Sequence, residues 1–335
     1  MKAPDGTLLA FAEGRKNSRS DTGDIDLLLK RSPDGGKTWG ALQVIWDDGA
    51  NTCGNPCALV DEQTGLVWLF STHNLGQEGE KEINHGTALG GRTVWTLHSS
   101  DQGVTWSKPV EITATVKLAE WTWYATGPGI GIQIKHGPQS GRLILPCDHN
   151  LPRPDAGEFT RGSHVIFSDD HGASWQLGGT IQPDMNECQV TELFDGKGTL
   201  LMNMRSYAGR ARRAQSKSYD GGMTWSAPAD TPALIEPVCQ ASLLRWETVG
   251  PDKPGWMLFS NPADAHKRLH LTVRASADDG ATWPRRLELQ AGPAAYSCLV
   301  ALDSTTAACF YERGEKQPYE ELVFACFTAA ELTAH

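Results

Sequence analysis

The sequence lacks the features that mark several other classes of protein. No apolar run reaches about 18 residues, which excludes a membrane-spanning helix. Basic residues are in the minority, with 30 Lys and Arg against 40 Asp and Glu. The resulting net charge of −10 argues against general binding of nucleic acid, which needs a basic surface. An anionic substrate would therefore have to be held by a local basic pocket.

Cysteine pairs with the spacing of metal ligands are also scarce. The eight cysteines are spread through the chain, and Cys53 and Cys57 are the only close pair. Zinc sites of the common kind need a second such pair. We interpret the cysteines as free thiols near strand ends, and we expect neither a metal ion nor another cofactor.

Turns and short strands dominate what is present. The 335 residues include 35 Gly and 19 Pro, and no long segment shows helical periodicity. Leu269, Leu271 and Val273 alternate with polar residues, which is typical of a half-buried strand. Short apolar runs at 143–145, 199–202 and 321–324 also predict strands, whereas 329–333 could form a helical turn. These patterns predict an all-β protein.

A repeated motif, Ser-x-Asp-x-Gly-x-(Ser/Thr)-Trp, sets the expected architecture. Its copies are Ser32–Trp39, Ser99–Trp106, Ser168–Trp175, Ser218–Trp225 and Ser276–Trp283. A repeat of about 50 to 70 residues fits one four-stranded propeller blade with its loops, and the chain length then predicts five to six blades. We expect one β-propeller domain over residues 1–335.

The chemistry of this motif suits a hairpin turn better than a catalytic site. Its Asp can accept hydrogen bonds from nearby backbone N–H groups, and its Gly permits a positive φ. The Trp can leave the turn and pack between neighbouring sheets. A calcium site is the sharper alternative, but one carboxylate per turn supplies too few ligands.

The repeats and the segments between them resemble the sialidase (neuraminidase) family, whose repeats are called Asp boxes. The matching segments span essentially the whole chain. They are Leu8–Arg15, Asn186–Val190, Asn203–Arg205, Phe259–Pro262 followed by Arg268, Ala295–Ser297, Phe310–Glu312 and Tyr319–Glu321. The resemblance implies a six-bladed β-propeller of the sialidase fold and exo-α-sialidase activity.

The resemblance also implies the catalytic groups. Tyr296 would be the nucleophile and Glu187 its base, and Asp21 would be the general acid/base. Asp21 lies in a polar, glycine-containing loop, which suits an acid at the mouth of a pocket. Asp24 and Asp26 are rivals for this role, and Asp26, directly before an apolar run, is more typical of a strand-edge carboxylate.

Substrate binding would fall to four further residues. Arg205 and Arg268 would bind the carboxylate of the substrate, because a guanidinium can bind a carboxylate through two hydrogen bonds and stays charged. Arg15 would contact the sugar near its 4-hydroxyl, and Glu312 would orient the first arginine of the family's triad. Three arginines without such a context are interpreted as a solvated turn: Arg210, Arg212 and Arg213.

An aromatic stretch is a candidate for the pocket wall. Trp121 and Trp123 precede Gly127-Pro128-Gly129 and could contact the N-acetyl group or the glycerol chain. Packing between blades explains them equally well. Low-specificity candidates for polar contacts are Asn74, His85 and Asp148-His149-Asn150.

The sequence departs from the family at the first arginine. The family has an Arg-Ile-Pro segment about ten residues before the stretch that corresponds to Gly6–Leu9, and this chain begins at Met1-Lys2-Ala3-Pro4. We expect a truncated or mis-started sequence with an N-terminal strand missing. Extending the reading frame upstream tests this. No signal peptide is visible, and an export signal could have been lost with the same segment.

Three functions remain open from the sequence. The leading one is an exo-α-sialidase, expected to be monomeric, that acts on sialylated oligosaccharides, glycoproteins or glycolipids. The second is a sialic-acid-binding propeller without turnover, since the first triad arginine is absent. The third is a protein-binding scaffold, which leaves the catalytic segments unexplained. Transfer of sialic acid to a second sugar is a variant of the first function.

Overall fold

The structure is a computed structural model that describes residues 1–153, 158–248 and 254–334. The described residues form 24 β-strands, two short α-helices and one 3-10 turn, which confirms the predicted all-β class. The 3-10 turn, Ala329–Glu331, falls in the segment where the sequence predicts a helical turn.

The chain divides into two compact units. Unit A comprises Ala3–Ile134 and Gly141–Asn186, and unit B comprises Met1–Lys2, Lys135–Ser140 and Glu187–His335. The prediction of a single domain over 1–335 stays a prediction.

Unit A contains the strands β1 to β13. They are β1 Leu8–Arg15, β2 Ile25–Ser32, β3 Gln43–Trp46, β4 Thr52–Val60, β5 Val67–Asn74, β6 Thr93–Ser99, β7 Val110–Glu111, β8 Tyr124–Thr126, β9 Gly129–Ile130, β10 Ile132–Gln133, β11 Leu143–Arg153, β12 Glu158–Ser168 and β13 Gln176–Ile181, with helices α1 Glu80–Asn84 and α2 Thr113–Val116. Successive strands pair antiparallel in three runs, β1–β3, β4–β7 and β10–β13.

Unit B contains nearly all of the remaining strands. They are β14 Met185–Glu192, whose first two residues belong to unit A, β15 Leu200–Ser206, β16 Arg212–Ser218, β17 Ala229–Ile235, β18 Ser242–Thr248, β19 Pro254–Pro262, β20 Leu269–Ser276, β21 Arg285–Ala301, β22 Thr306–Arg313, β23 Glu321–Thr328 and β24 Thr333–Ala334. The strand β21 pairs with β20 through its first half and with β22 through its second half. Repeated antiparallel runs are what a propeller predicts, and the blade count itself stays a prediction.

The five repeated turns have the structural role that their chemistry predicts. In the first copy the Ser32 hydroxyl donates to Asp34, and Asp34 accepts both the backbone N–H and the hydroxyl of Thr38. The other four copies repeat this pattern around their aspartates, Asp101, Asp170, Asp220 and Asp278. The bonded N–H lies four residues after the Asp, so one carboxylate closes the whole turn.

The apolar faces of the strands pack into separate cores in the two units. In unit A, the motif residue Trp175 packs edge-on against Phe70 and Trp68. In unit B, Trp283 packs against Phe259. Trp175, which lies between β12 and β13, thus packs against β5 of another sheet, as predicted, and Trp283 joins a buried cluster of unit B.

The described ranges contain neither a candidate membrane span nor a candidate metal site. No helix in them is long and apolar enough to span a membrane. No group of three or more His, Cys, Asp or Glu side chains in them is arranged to hold a metal ion.

Strand register places the loops of unit A relative to the repeated turns. Arg15, at the end of β1, pairs with Ile25 on β2; Ile25 pairs with Thr52 on β4, and Thr52 pairs with Asn74 on β5. Ser32, the first residue of a repeated turn, lies at the opposite end of β2. The loops 16–24, 47–51 and 75–92 therefore lie together at the strand ends that are opposite to that turn.

Candidate active site

The candidate acid of unit A is paired with an arginine that also binds a second carboxylate. The Arg15 guanidinium donates to Glu13 at 2.7 Å and forms an ion pair with Asp21 at 2.8 Å. The Asp21 side chain is 70% exposed, whereas that of Glu13 is 16% exposed. Burial alone would lower the pKa of Arg15, but the two carboxylates raise it above its ordinary value. Asp21 is thus an accessible carboxylate held next to a permanent cation.

Behind this ion pair lies a buried polar network. The backbone N–H of Asn55 donates to Glu13 at 2.7 Å. The Arg92 guanidinium donates to the side-chain oxygens of Asn55 and Asn74 and stacks on Trp123 at 3.8 Å. Burial lowers the pKa of Arg92 to about 10. Arg92 is 2% exposed. Its guanidinium therefore holds together the segments that contain Asn55, Asn74 and Trp123.

The two rivals of Asp21 have different surroundings. Lys16 Nζ lies 2.9 Å from Asp24 and 3.0 Å from Asp26. Asp26 is buried as the second residue of β2, in agreement with its interpretation as a strand carboxylate. The side chains of Asp24 and Asp26 are 24% and 5% exposed, so Asp21, at 70%, is the most exposed carboxylate of the three.

The aromatic stretch lies mostly within the core of unit A. Trp121 stacks on His149 with ring centroids 3.6 Å apart and belongs to the hydrophobic core. One face of Trp123 is covered by Arg92. These contacts favour packing as the explanation for Trp121 and Trp123, and their role as a pocket wall stays a prediction.

The candidate polar contacts of unit A are largely engaged with the protein itself. Asn74 donates to the carbonyl of Glu78, and Asn150 donates to Glu80 and Asn84. Asp148 accepts a hydrogen bond from Asn186. His85 is exposed after helix α1. Their contact with a sugar stays a prediction.

Unit B brings three of the predicted residues together. Arg205 Nη1 donates to Glu187 at 2.6 Å and lies 3.5 Å from the hydroxyl of Tyr296. Arg205 Nη2 donates to the hydroxyl of Tyr207 at 2.7 Å. The side chains of Glu187 and Arg205 are only 9% and 13% exposed, so this ion pair is shielded from solvent screening.

The phenol of Tyr296 is kept protonated by its surroundings. Burial raises its pKa well above the ordinary value of 10.0, and the charge of Glu187 raises it further. A phenol becomes a good nucleophile only when a base takes its proton during the attack. Glu187 is the carboxylate next to this phenol.

The backbone around Tyr296 is held by two side chains. The pairing of β21 with β22 shifts register between Ala294 and Ser297. The N–H of Tyr296 donates to Glu312 at 3.0 Å, and the N–H of Ser297 donates to Gln240 at 3.0 Å. The resemblance to the family implies that Glu312 orients the first arginine of the triad. In the structure Glu312 also contacts the backbone of the candidate nucleophile.

The second predicted arginine of unit B also approaches Tyr296. The guanidinium carbon of Arg268 lies 5.6 Å from the centroid of the Tyr296 ring. Arg268 Nη1 donates to the hydroxyl of Tyr319 at 2.5 Å. Two guanidinium groups therefore flank one phenol, each oriented by a further tyrosine.

The interpretation of Arg210, Arg212 and Arg213 as a solvated turn is wrong for Arg213. Its side chain is fully buried and paired with Glu236, which is also fully buried, at 2.8 Å. Arg213 also donates to Asn203 and to the carbonyl of Cys239. Arg210 is half-exposed and paired with Asp230. Arg213 is buried because it lies on β16, in the interior of the sheet, and not in the turn that precedes this strand.

Four residues of these clusters were not predicted from the sequence, namely Glu13, Arg92, Tyr207 and Gln240. Glu13 and Arg15 are two residues apart on β1, so their shared face follows from the strand period. Tyr207 follows Arg205 at the same spacing. Arg92 and Gln240 have no local signal, because each is placed by contacts with distant segments.

The sequence is similar to a known protein family and to known sialidases. The family model described as BNR repeat-like domain matches residues 6–308. A sialidase of Micromonospora viridifaciens is 35% identical over 327 residues, which cover 93% of this chain and 48% of that protein. A sialidase of Bacteroides fragilis is 32% identical, with 92% of this chain and 58% of that protein covered. The chain thus spans about half the length of these two relatives.

Solved structures resemble the fold as well. The structure described as Hadza microbial sialidase Hz136 has a TM-score of 0.87 and 30% sequence identity, and the match covers 99% of this chain and 65% of that chain. An intramolecular trans-sialidase from Ruminococcus gnavus has a TM-score of 0.84 at 19% identity, with 100% and 94% covered. These likenesses confirm the predicted sialidase-type β-propeller fold.

Proposed function

The chain belongs to the sialidase family of BNR repeat-like domain proteins, and from this relationship we propose that it is an exo-α-sialidase. It removes terminal sialic acids from oligosaccharides, glycoproteins or glycolipids with retention at the anomeric carbon. The observation that supports this most is the cluster in unit B, where a protonated phenol lies against a carboxylate and two guanidinium groups.

The two guanidinium groups suit the carboxylate of a sialic acid. Arg205 and Arg268 are cations at any physiological pH and present planar arrays of N–H donors. The side chain of Arg205 is only 13% exposed, and this partial burial strengthens its attraction for an anion because the local dielectric is lower than in water. In the proposal the two arginines bind the substrate carboxylate and orient the anomeric carbon toward Tyr296.

A neutral nucleophile suits this substrate better than a charged one. Most retaining glycosidases use a carboxylate, and sialidases are an exception. A carboxylate about 4 Å from the substrate carboxylate would cost roughly 4 kcal/mol at an effective dielectric near 20. The raised pKa of Tyr296 keeps its phenol uncharged until the attack.

The proposed first step forms a glycosyl-enzyme. The Tyr296 oxygen bonds to the anomeric carbon while its proton passes to Glu187. The bond to the leaving oxygen breaks, and Asp21, in its protonated form, gives that oxygen a proton. In the second step water attacks the anomeric carbon and gives a proton to Asp21, and the phenol departs with the proton of Glu187.

Release of fluorophore from a 4-methylumbelliferyl α-sialoside tests the proposal. Tyr296→Phe should lower kcat/KM by about 10³-fold or more, because the nucleophilic oxygen is removed. Tyr219→Phe is the matched control, since Tyr219 is 75% exposed on a repeated turn, and its activity should equal that of the wild type.

Three results would contradict the proposal. Equal turnover by the wild type and by Tyr296→Phe would remove the nucleophile from the mechanism. Absence of turnover in the wild type, together with saturable binding of a sialoside measured by calorimetry, would instead identify a sialic-acid-binding propeller. Formation of a new sialoside with lactose as acceptor would identify transfer in place of hydrolysis.

A further inference from the structure

The loop that contains the proposed acid has one anchor residue directly beside it. Asp21 itself is 70% exposed, and its side chain is held by the ion pair with Arg15. The next residue, Thr22, is half-buried and directs its hydroxyl away from solvent into a neighbouring loop. The placement of the Asp21 backbone therefore depends on Thr22.

The Thr22 hydroxyl is surrounded by three polar groups of the segment 74–78. It lies 2.8 Å from the carbonyl of Glu78 and 3.2 Å from that of Gly76, and it accepts a hydrogen bond from Asn74 Nδ2 at 3.3 Å. A hydroxyl has one proton to donate, and the shorter distance favours Glu78 as its acceptor. One side chain thus bridges the loops 16–24 and 75–92.

The residue after Thr22 is fixed by a different element of the fold. The N–H of Gly23 donates to the Thr52 hydroxyl at 3.1 Å, and that hydroxyl donates to the Gly23 carbonyl at 2.9 Å. Thr52 is fully buried at the start of β4. The dipeptide Thr22-Gly23, immediately after Asp21, is therefore held by the loop 75–92 and by the start of β4.

The fit of these loops leaves little room for change. A Cβ atom added to Gly76 would lie 1.8 Å from the carbonyl oxygen of Ala50 and 3.2 Å from the carbonyl carbon of Gly23. Glu78 closes the loop that follows by accepting the N–H groups of Leu89 and Gly90. The acceptor of the Thr22 hydroxyl is thus itself part of a fixed segment.

We propose that Thr22 is a positioning residue for the general acid, holding the Asp21 backbone where its carboxyl group can protonate the leaving oxygen. The inference rests on the proposed function of Asp21. A misplacement of about 1 Å can cost about 100-fold in rate, and general-acid catalysis is worth about 10² to 10⁴-fold. Loss of the anchor should therefore matter only where protonation of the leaving group matters.

Two substrates separate this role from a structural one. A 4-methylumbelliferyl sialoside has a good leaving group that needs little protonation, whereas sialyl-lactose must expel a sugar alkoxide. Thr22→Val, which keeps the shape but removes the hydroxyl, should lower kcat/KM for sialyl-lactose by about tenfold to 100-fold. It should change kcat/KM for the aryl sialoside by less than about threefold, which also shows that the fold is intact.

Conservative and matched variants complete the test. Thr22→Ser retains the hydroxyl and should stay within about threefold of the wild type on both substrates. Thr87→Val removes a threonine hydroxyl that donates to Glu82 in the same loop, and it should leave both activities unchanged. Asp21→Ala should show the same preference for the aryl substrate as Thr22→Val, but to a greater degree.

The outcomes distinguish the two claims. If Asp21→Ala affects both substrates equally, the assignment of Asp21 as the acid is wrong. If Asp21→Ala discriminates between the substrates and Thr22→Val does not, the acid stands and the anchoring role of Thr22 is wrong. An equal loss on both substrates with Thr22→Val would show a merely structural residue and overturn the inference.

Discussion

The buried ion pair between Arg213 and Glu236 leads to a strong prediction for stability. Both side chains are fully buried, and their charged atoms lie 2.8 Å apart. At an effective dielectric of about 20, the Coulomb attraction at this distance is about 6 kcal/mol. Desolvation of the two ions offsets most of this gain, so the net value of the intact pair is small.

Removal of only one partner has a much larger effect. Arg213→Met leaves Glu236 as a buried carboxylate without its cation, which should lower the free energy of unfolding by about 3–5 kcal/mol. At about 2 °C per kcal/mol for a long chain, Tm should fall by about 6–10 °C. Glu236 also accepts the N–H of Ser206, directly after Arg205, so the strand that bears Arg205 should loosen as well.

Denaturant unfolding followed by tryptophan fluorescence, together with calorimetry, measures this effect. Arg210→Met is the matched control, because the ion pair of Arg210 with Asp230 is partly exposed and should be worth at most about 1 kcal/mol. The double variant Arg213→Met with Glu236→Gln should recover part of the loss. Equal effects of Arg213→Met and Arg210→Met would refute the reasoning.

Three further predictions follow from individual contacts. The pKa of Asp101 is lowered to about 2, mainly by the hydrogen bond from the Thr105 hydroxyl, so Asp101 stabilises the fold above its ordinary pKa near 3.8 and loses this effect as the pH falls through about 2. Thr105→Val should therefore lower Tm by about 1–3 °C at pH 7 and by less near pH 2. An equal loss of Tm at the two pH values would contradict this. Tyr207→Phe removes an acceptor of Arg205 and should raise KM for a sialoside about fivefold with kcat nearly unchanged, so a loss confined to kcat in steady-state assays would count against carboxylate binding by Arg205. Gly162→Ala would place a Cβ 2.6 Å from a buried histidine ring and should lower Tm by several degrees, which a thermal melt indistinguishable from the wild type would disprove.

Local patterns in the sequence predicted most of the fold. The repeated turns are closed by hydrogen bonds within eight residues, so their structure depends on the motif alone. The alternation of apolar and polar residues predicts a strand because successive side chains of a strand point to opposite faces of the sheet, and one face is buried. The sequence run Leu269–Val273, for example, lies on β20 as predicted.

The candidate site could be predicted where a segment resembles the family. Glu187, Arg205 and Tyr296 are far apart in the sequence, yet the structure places Arg205 against both of the others. Their meeting depends on pairings between strands, which composition and periodicity do not reveal. The resemblance to the family supplied this information.

Residues held by distant partners could not be predicted. Arg213 looked like a surface residue because Arg210 and Arg212 are close to it in the sequence, but its partner Glu236 is 23 positions away. Arg92 joins Asn55, Asn74 and Tyr124, which lie on three different strands. The residues next to a charged side chain in the sequence do not show whether a distant segment will pair with it and bury it.

The central claim is that Tyr296 attacks the anomeric carbon of a sialoside. The most direct measurement is peptide mass spectrometry of the protein after brief treatment with a 3-fluorosialosyl fluoride, whose slow hydrolysis allows the glycosyl-enzyme to accumulate. The account predicts one added fluorosialosyl group per chain, located on Tyr296 and absent from Tyr296→Phe. An adduct on any other residue, or steady turnover of this reagent by Tyr296→Phe, would contradict it.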